Sequence, residues 1–142
     1  MTSVWSLVAQ AAPAVPAQHA WLKGFEGTWI VDGARGSDAG MTLTIVRDGN
    51  ALVLKAVRGD REVVTRYDLT GADATNSNIA GTRIFRTRIV GQKLATEIWE
   101  KEAVGPPARI ETRYLESADR MGTELSRTAG GPAFNRTVLR HK

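Results

Sequence analysis

The sequence predicts an all-β fold: an antiparallel up-and-down meander barrel of about 8 to 10 strands with a short N-terminal helical segment. From Phe25 onward, apolar and polar residues alternate with a period of two. Gly, Asp and Pro interrupt this alternation at short intervals, which is typical of consecutive hairpins. No helix of crossover length separates two strands, which argues against a parallel sheet. A closed barrel leaves no free sheet edge, and a two-sheet sandwich is the alternative.

The alternating segments predict nine strands and two short helices. The strands cover residues 26–32, 41–47, 51–58, 62–69, 82–90, 93–101, 108–116, 121–128 and 134–140. The tight connections contain Gly or Asn, which tolerate positive φ, as in the two-residue turn Gly91-Gln92. Residues 70–81 are predicted to form the one long loop. The helical segments are Ser3–Ala11 and Ala17–Gly24.

Composition restricts the class of protein further. The 142 residues suit a single domain, and 42% hydrophobic with 24% charged residues is ordinary for a globular chain. No apolar run approaches the ~20 residues that span a bilayer. The absence of Cys excludes disulfides and thiolate metal sites, and two His residues are too few for a three-histidine site. We therefore expect no metal and no cofactor.

The net charge of +4 is concentrated in the second half of the chain. Residues 1–80 carry seven basic and eight acidic side chains, whereas residues 81–142 carry twelve and seven. The basic residues are spaced along predicted strands rather than clustered, and no aromatic platform motif accompanies them. We therefore expect no nucleic-acid partner.

The first twenty residues differ in composition from the rest, because they contain no Lys, Arg, Asp or Glu. Within them, Ala9-Gln10-Ala11 has the small-x-small form of a signal-peptidase site, although no basic segment precedes it. We interpret residues 1–20 as a leader remnant or a short helix, and residues 21–142 as the barrel domain. This interpretation favours a periplasmic or secreted protein.

The segment Gly27-Thr28-Trp29, at the entry to the first strand, resembles the Gly-x-Trp signature of the lipocalin and fatty-acid-binding-protein group. The resemblance implies a barrel in which Trp29 closes one end. It also implies an arginine near the end of the chain that packs across the indole, a role for which Arg136 or Arg140 is available. Such a guanidinium–indole contact contributes about 0.5–2 kcal/mol.

Two further segments are similar to small exported bacterial proteins of unassigned function. These are Tyr67-Asp68-Leu69-Thr70-Gly71 and the stretch Leu115–Met121. The second departs from the pattern, because Arg120 stands where Gly is expected.

Hairpin arithmetic sorts the second half of the chain into two faces. A Gly91-Gln92 turn pairs Arg86 with Glu97, and a turn centred on residues 104–105 places Trp99 beside Ile110. One face then contains Ile84, Arg86, Arg88, Ala95, Glu97, Trp99, Ile110, Thr112 and Tyr114. The other contains Arg83, Phe85, Thr87, Ile89, Leu94, Thr96, Ile98, Glu100, Arg109, Glu111, Arg113 and Leu115. Both faces are mixed, which favours a lumen with placed polar groups.

We interpret the first of these faces as the lumen. Arg86 and Glu97 would be its polar anchor, with Trp99 and Tyr114 as apolar walls, and these four residues are the predicted ligand-binding residues. In the alternative interpretation, Arg86 and Glu97 form a solvent-side pair worth about 0.2–1 kcal/mol. A one-residue error in either turn would exchange the two faces.

These observations lead to the hypothesis of a non-enzymatic barrel that binds a small, apolar or amphipathic molecule in its lumen, without any catalytic residue. One alternative is an enzyme of cyclase or isomerase type that uses Glu97 or Tyr114 as its acid or base. Another is an envelope module that binds a second protein. A homodimer is a further partner that the sequence permits.

Overall fold

The computed structural model describes residues 17–32, 40–78 and 80–142, which form one short helix and ten strands. The helix, Ala17–Phe25, is of the 3-10 type. The strands are β1 (Gly27–Val31), β2 (Thr42–Asp48), β3 (Ala51–Arg58), β4 (Arg61–Asp68), β5 (Asp73–Asn78), β6 (Gly81–Val90), β7 (Lys93–Trp99), β8 (Arg109–Ser117), β9 (Arg120–Ser126) and β10 (Ala133–His141).

The strands form a single antiparallel sheet in the order β4-β3-β2-β1-β10-β9-β8-β7-β6-β5. Every neighbouring pair is consecutive in sequence except β1 and β10, which bring the first and last strands together. This arrangement is an up-and-down meander that curls into a nearly closed barrel, and it confirms the predicted fold class.

The barrel has a seam where β4 and β5 lie side by side. The side chain of Asn76 in β5 bridges this seam to the backbone of Arg66 in β4. The amide nitrogen of Arg66 donates to Oδ1 of Asn76 (2.8 Å), and Nδ2 of Asn76 donates back to the Arg66 carbonyl (3.0 Å). One side-chain amide thus supplies the donor and the acceptor that a neighbouring strand would provide.

The predicted strands match nine of the observed ones to within about two residues. The predicted loop over residues 70–81 is wrong, because it contains β5, whose register with β6 runs from Asp73 opposite Arg86 to Asn78 opposite Gly81. The predicted helix at Ala17–Gly24 corresponds to the 3-10 helix. The predicted helix Ser3–Ala11 and the cleavage-like Ala9-Gln10-Ala11 lie outside the described residues.

The core begins at the end of the barrel next to the 3-10 helix. Leu22 and Phe25 of that helix are fully buried together with Trp29, and the Trp29 indole N–H donates to the Phe25 carbonyl at 3.0 Å. Apolar side chains from the neighbouring strands, including Met121 and Leu139, complete this cluster. The helix is therefore held by the core and closes this end of the barrel.

The predicted partner of Trp29 is wrong. Arg136 is exposed, and its guanidinium contacts Glu116 (3.1 Å) and the Tyr114 hydroxyl (3.2 Å) on the outer surface. Arg140 is likewise exposed, on the face of β10 opposite to the core residue Leu139. The residue against the indole is His141, directly opposite Trp29 in the β1–β10 pair, with the ring centroids 4.7 Å apart.

The hairpin arithmetic is confirmed for the first turn and shifted for the second. Gly91 has a φ of +62°, and Arg86 pairs with Glu97 as predicted. Between β7 and β8 the connection is longer than assumed, so Glu97 rather than Trp99 lies opposite Ile110. A shift of two positions preserves the alternation, and the two predicted faces keep their members.

Candidate ligand-binding site

A contact across the barrel identifies the inner face. The Tyr67 hydroxyl in β4 donates to Oε1 of Glu111 in β8 (2.9 Å), although β4 and β8 are far from each other in the sheet. Such a bond can form only through the interior. Thr87 and Thr96, which are fully buried and whose hydroxyls lie 3.0 Å apart, are on the same face as Glu111. The lumen is therefore lined by the second of the two predicted faces.

The choice of face made from the sequence is accordingly corrected. Arg86, Glu97, Trp99 and Tyr114 all lie on the outer side of the barrel, because they alternate with the buried residues of their strands. The chain places large apolar and charged side chains on both faces, so its pattern did not distinguish them.

The outer face brings some of these residues together. Arg86 forms an ion pair with Asp73 (2.8 Å), and its guanidinium lies 4.8 Å from the centre of the Trp99 ring. Trp99 is only 5% exposed, and its indole N–H donates to the carbonyl of Gly105 in the following connection. Glu97 pairs with Arg88 instead of Arg86 (3.0 Å). The Arg86–Glu97 anchor is therefore absent, although the two residues are register partners.

Tyr114 lies apart from the other three, in a groove of about 360 Å³ on the outer surface. Its hydroxyl donates to Glu124, and Lys93 lies over its ring at 5.1 Å. Burial and the bond to Glu124 raise the pKa of Tyr114. Neither Glu97 nor Tyr114 is placed to act as an acid or base inside the lumen.

The lumen holds a polar trio of Tyr67, Glu111 and Arg113. Glu111 and Arg113 are two positions apart on β8 and therefore point the same way, toward Tyr67 on the far wall. The Arg113 guanidinium donates to the Tyr67 hydroxyl and to Oε1 of Glu111, each at 3.3 Å. A further N–H contacts the sulfur of Met121 at 3.3 Å. The trio thus links opposite sides of the barrel.

Burial and neighbouring charges shift the pKa values of Tyr67 and Arg113. Burial raises the pKa of Tyr67 above its ordinary value, and the negative charge of Glu111 acts in the same direction. Burial alone would lower the pKa of Arg113, but attraction to Tyr67 and Glu111 outweighs it and leaves the pKa raised. The trio therefore contains a neutral phenol and a fixed guanidinium charge that Glu111 balances.

Arg113 borders two cavities inside the barrel. The larger, of about 170 Å³, lies toward the end opposite the 3-10 helix. Its walls are Val31, Met41, Leu43, Glu111, Arg113, Thr123, Leu125, Asn135, Thr137 and Leu139. The smaller, of about 10 Å³, lies among Ile45, Leu52, Leu54, Tyr67, Leu94 and Arg113. Walls that combine apolar side chains with a small number of polar groups are typical of ligand pockets.

The size of the larger cavity limits what it can hold. Pockets for drug-sized ligands measure about 300–1,000 Å³, whereas an apolar cavity of about 150 Å³ in another protein holds benzene. A volume of about 170 Å³ therefore accommodates a molecule on the scale of one six-membered ring with a short substituent.

Sequence reasoning assigned Glu111 and Arg113 to the face that it did not choose, and it singled out Tyr67 only as part of a motif. The available signal was confined to β6, where Phe85, Thr87 and Ile89 on the inner face are uncharged, whereas the outer face carries Arg86 and Arg88. Within the described ranges, no three His, Asp or Glu residues converge to hold a metal ion. None of the helices described is long and apolar enough to cross a membrane.

Neither family models nor curated protein sequences match the chain. Several solved structures match the chain in fold. A variant of the fluorescent protein UnaG has a TM-score of 0.62 and 18% identity, over 85% of this chain and 98% of that one. Human cRBP IV has a TM-score of 0.58 and 12% identity, over 83% and 98%. The REP1-NXSQ fatty acid transporter has a TM-score of 0.60 and 15% identity, over 82% and 94%. The chain has the calycin-type barrel fold of lipocalin and fatty-acid-binding-protein-like proteins.

Proposed function

We propose that this protein binds a small, partly apolar molecule inside its barrel and does so as a binding protein. The observation that carries the proposal is the polar trio of Tyr67, Glu111 and Arg113, whose charged members border an otherwise mostly apolar cavity of about 170 Å³. A cavity wall of this kind supplies orientation through a few hydrogen bonds and affinity through apolar contact.

A buried ion pair such as that of Glu111 and Arg113 contributes less to the stability of a barrel than packed apolar side chains can. Replacing a buried ion pair by packed apolar side chains is often neutral or stabilising by about 1–4 kcal/mol. Moreover, Nε of Arg113 is buried and has no hydrogen-bond partner among the described residues. A polar group of a molecule bound in the cavity would satisfy this buried donor.

The structural comparisons support a binding barrel in general terms, since one of the similar structures is described as a fatty acid transporter. They leave the ligand of this chain open. The cavity volume favours a compact molecule, about one ring in size, over a long extended chain.

The proposal is tested by filling the cavity from β10. Thr137 lines the cavity, whereas Val138 is the next residue and points to the opposite face of the strand. We expect Thr137→Phe to abolish binding of cyclohexanecarboxamide and cyclohexanecarboxylate, while Val138→Phe leaves it intact. Nuclear magnetic resonance titration suits the expected dissociation constants, on the order of 0.1 mM for ligands of this size.

The same titration locates the ligand. Binding in the lumen shifts the methyl resonances of Leu43 and Leu139, which line the cavity. If neither compound shifts these resonances in the unmodified protein, the proposed function is wrong.

A further inference from the structure

We propose that the lumen selects a neutral head group that both donates and accepts a hydrogen bond, such as a primary amide or a hydroxyl, and discriminates against a carboxylate. This inference rests on the proposed function and specifies the class of ligand. It follows from the charge balance and from the hydrogen-bonding capacity of the trio.

The charge of the cavity wall is already balanced. Among the described residues that line the two cavities, the charged ones are Arg113 and Glu111, whose ion pair measures 3.3 Å. Arg113 is only 6% exposed, so its charge is screened little by solvent and is met mainly by Glu111. The site therefore presents a dipole rather than a net positive charge.

A carboxylate would disturb this balance. It would lose its hydration on entering the barrel and would gain no net counter-charge in return. It would also lie beside Glu111, and two carboxylates that share a site repel each other unless one takes up a proton. A neutral ligand incurs neither penalty.

The hydrogen-bonding groups of Glu111 and Arg113 match a neutral head group. Tyr67 and Arg113 both donate to Oε1 of Glu111, which leaves the second carboxylate oxygen without a hydrogen bond from either of them and able to accept from a ligand. Nε of Arg113 has no hydrogen-bond partner within the described part of the chain, so its N–H can donate to a ligand. A donor and an acceptor side by side fit the C=O and N–H of an amide, or the two roles of a hydroxyl.

The other arginines on the inner face of β6 and β8 add no charge to the walls of the two cavities. Arg83 and Arg109 lie at the ends of β6 and β8 and share Glu100, at 3.1 and 3.4 Å. Neither of them lines the two cavities. The remaining polar residues of the larger cavity, Thr123, Asn135 and Thr137, are uncharged.

Two ligands of matched shape test the inference. Cyclohexanecarboxamide and cyclohexanecarboxylate share the ring and differ in the charge of the head group at neutral pH. We expect the unmodified protein to bind the amide at least about tenfold more tightly than the carboxylate. Glu111→Gln keeps the shape of the side chain and leaves Arg113 uncompensated, so the preference should reverse in favour of the carboxylate. Glu124→Gln makes the same chemical change on the outer face and should leave the preference unchanged.

The possible failures are distinguishable. If the unmodified protein binds the carboxylate as tightly as the amide, and Thr137→Phe abolishes both, the proposed function stands and the inference is overturned. An unchanged preference in Glu111→Gln overturns it as well. If neither compound binds in the lumen, the proposed function falls and the inference falls with it. Should Glu111→Gln not fold, the ratio in the unmodified protein decides alone.

Discussion

At the scale of single residues, the phenol of Tyr67 connects the two walls of the lumen. Its hydroxyl donates to Glu111 and accepts from Arg113, so one oxygen serves both neighbours. Burial, followed by the charge of Glu111, raises the pKa of Tyr67 above the value of 10.0 for a free tyrosine. The folded protein therefore keeps this proton at a pH where the unfolded chain releases it.

This difference predicts a loss of stability in alkali. Because the folded-state pKa is the higher one, the contribution is complete below about pH 10 and is lost as the pH rises above it. Tyr67→Phe removes the titrating group. In both proteins the free energy of unfolding should fall as the pH rises from neutral to about 11. We expect this fall to be roughly 1 kcal/mol smaller in Tyr67→Phe than in the unmodified protein.

Urea unfolding at a series of pH values measures this effect. Tyr114→Phe is the matched control, since the Tyr114 hydroxyl lies on the outer face near solvent and should account for less of the alkaline loss. Equal pH dependence in Tyr67→Phe and the unmodified protein would contradict the prediction.

The residues of the trio could not be selected from the sequence, although two of them were correctly placed on one face. A charged residue on a strand is usually exposed, and both faces of β6 to β8 carry arginine and glutamate. What distinguishes Glu111 is a contact with Tyr67, 44 positions away in the chain. Strand alternation is local and contains no information about which residues meet across a barrel.

At the scale of elements, β5 is the strand that its own sequence does not favour. Its six residues, Asp73–Asn78, include two Asn and one Asp, and Ala74 is its one buried residue. Asp and Asn are depleted in strands, which explains why the segment was predicted as a loop. The strand forms because it pairs with β6, where Asp73 meets Arg86, and because Asn76 reaches β4. Tertiary contacts override the local preference.

The seam provides a test of that explanation. Asn76→Ala removes both hydrogen bonds to the backbone of Arg66. Since these bonds are exposed, we expect a loss of about 1 kcal/mol in stability and, more specifically, faster hydrogen exchange of the Arg66 amide. Asn78→Ala is the control on the same strand, because its side chain accepts from Ala80 instead. If the Arg66 amide stays equally protected in Asn76→Ala, the side chain does not hold the seam.

At the scale of the whole molecule, the first and last strands are joined where β1 meets β10. Gly27 has a φ of +129°, which strongly favours glycine, and a Cβ at this position would lie 2.6 Å from Nε2 of His141. His141 in turn lies against Trp29. The Gly-x-Trp segment is thus explained physically, because glycine makes room for the ring that packs on the tryptophan.

We expect Gly27→Ala to destabilise the protein by about 2–4 kcal/mol, through backbone strain and the clash with His141. Gly49→Ala is the matched control, since Gly49 also has a positive φ but no atom lies within 4 Å of an added Cβ. It should cost about 1 kcal/mol.

Adding His141→Ala to Gly27→Ala should recover part of the loss, as measured by a double-mutant cycle in denaturant unfolding. Equal losses for the two glycine variants would show that the contact with His141 is unimportant.

The architecture as a whole was predictable because it is built from local hairpins. Each tight turn has a signature, and nine strands were located from such signatures and from alternation. The side chain that packs on Trp29 was not predictable. The resemblance indicated an arginine on Trp29, but the register of β10 places Leu139 and His141 on the inner side and leaves Arg136 and Arg140 outside.

The pairing of β1 with β10 also restricts the order in which the chain can assemble. Among the described strands, all pairs join neighbours in sequence except β1 and β10, which join Trp29 to His141 across more than a hundred positions. Hairpins form within microseconds, whereas a contact between distant segments must first overcome the entropy of the chain between them. During refolding the sheet can therefore grow hairpin by hairpin as two ribbons, β1 to β4 and β5 to β10. The larger cavity beside Arg113 is lined by β1 and β2 from one ribbon and by β8, β9 and β10 from the other, so it exists only once β1 has paired with β10. We therefore expect the capacity to bind to appear late in folding.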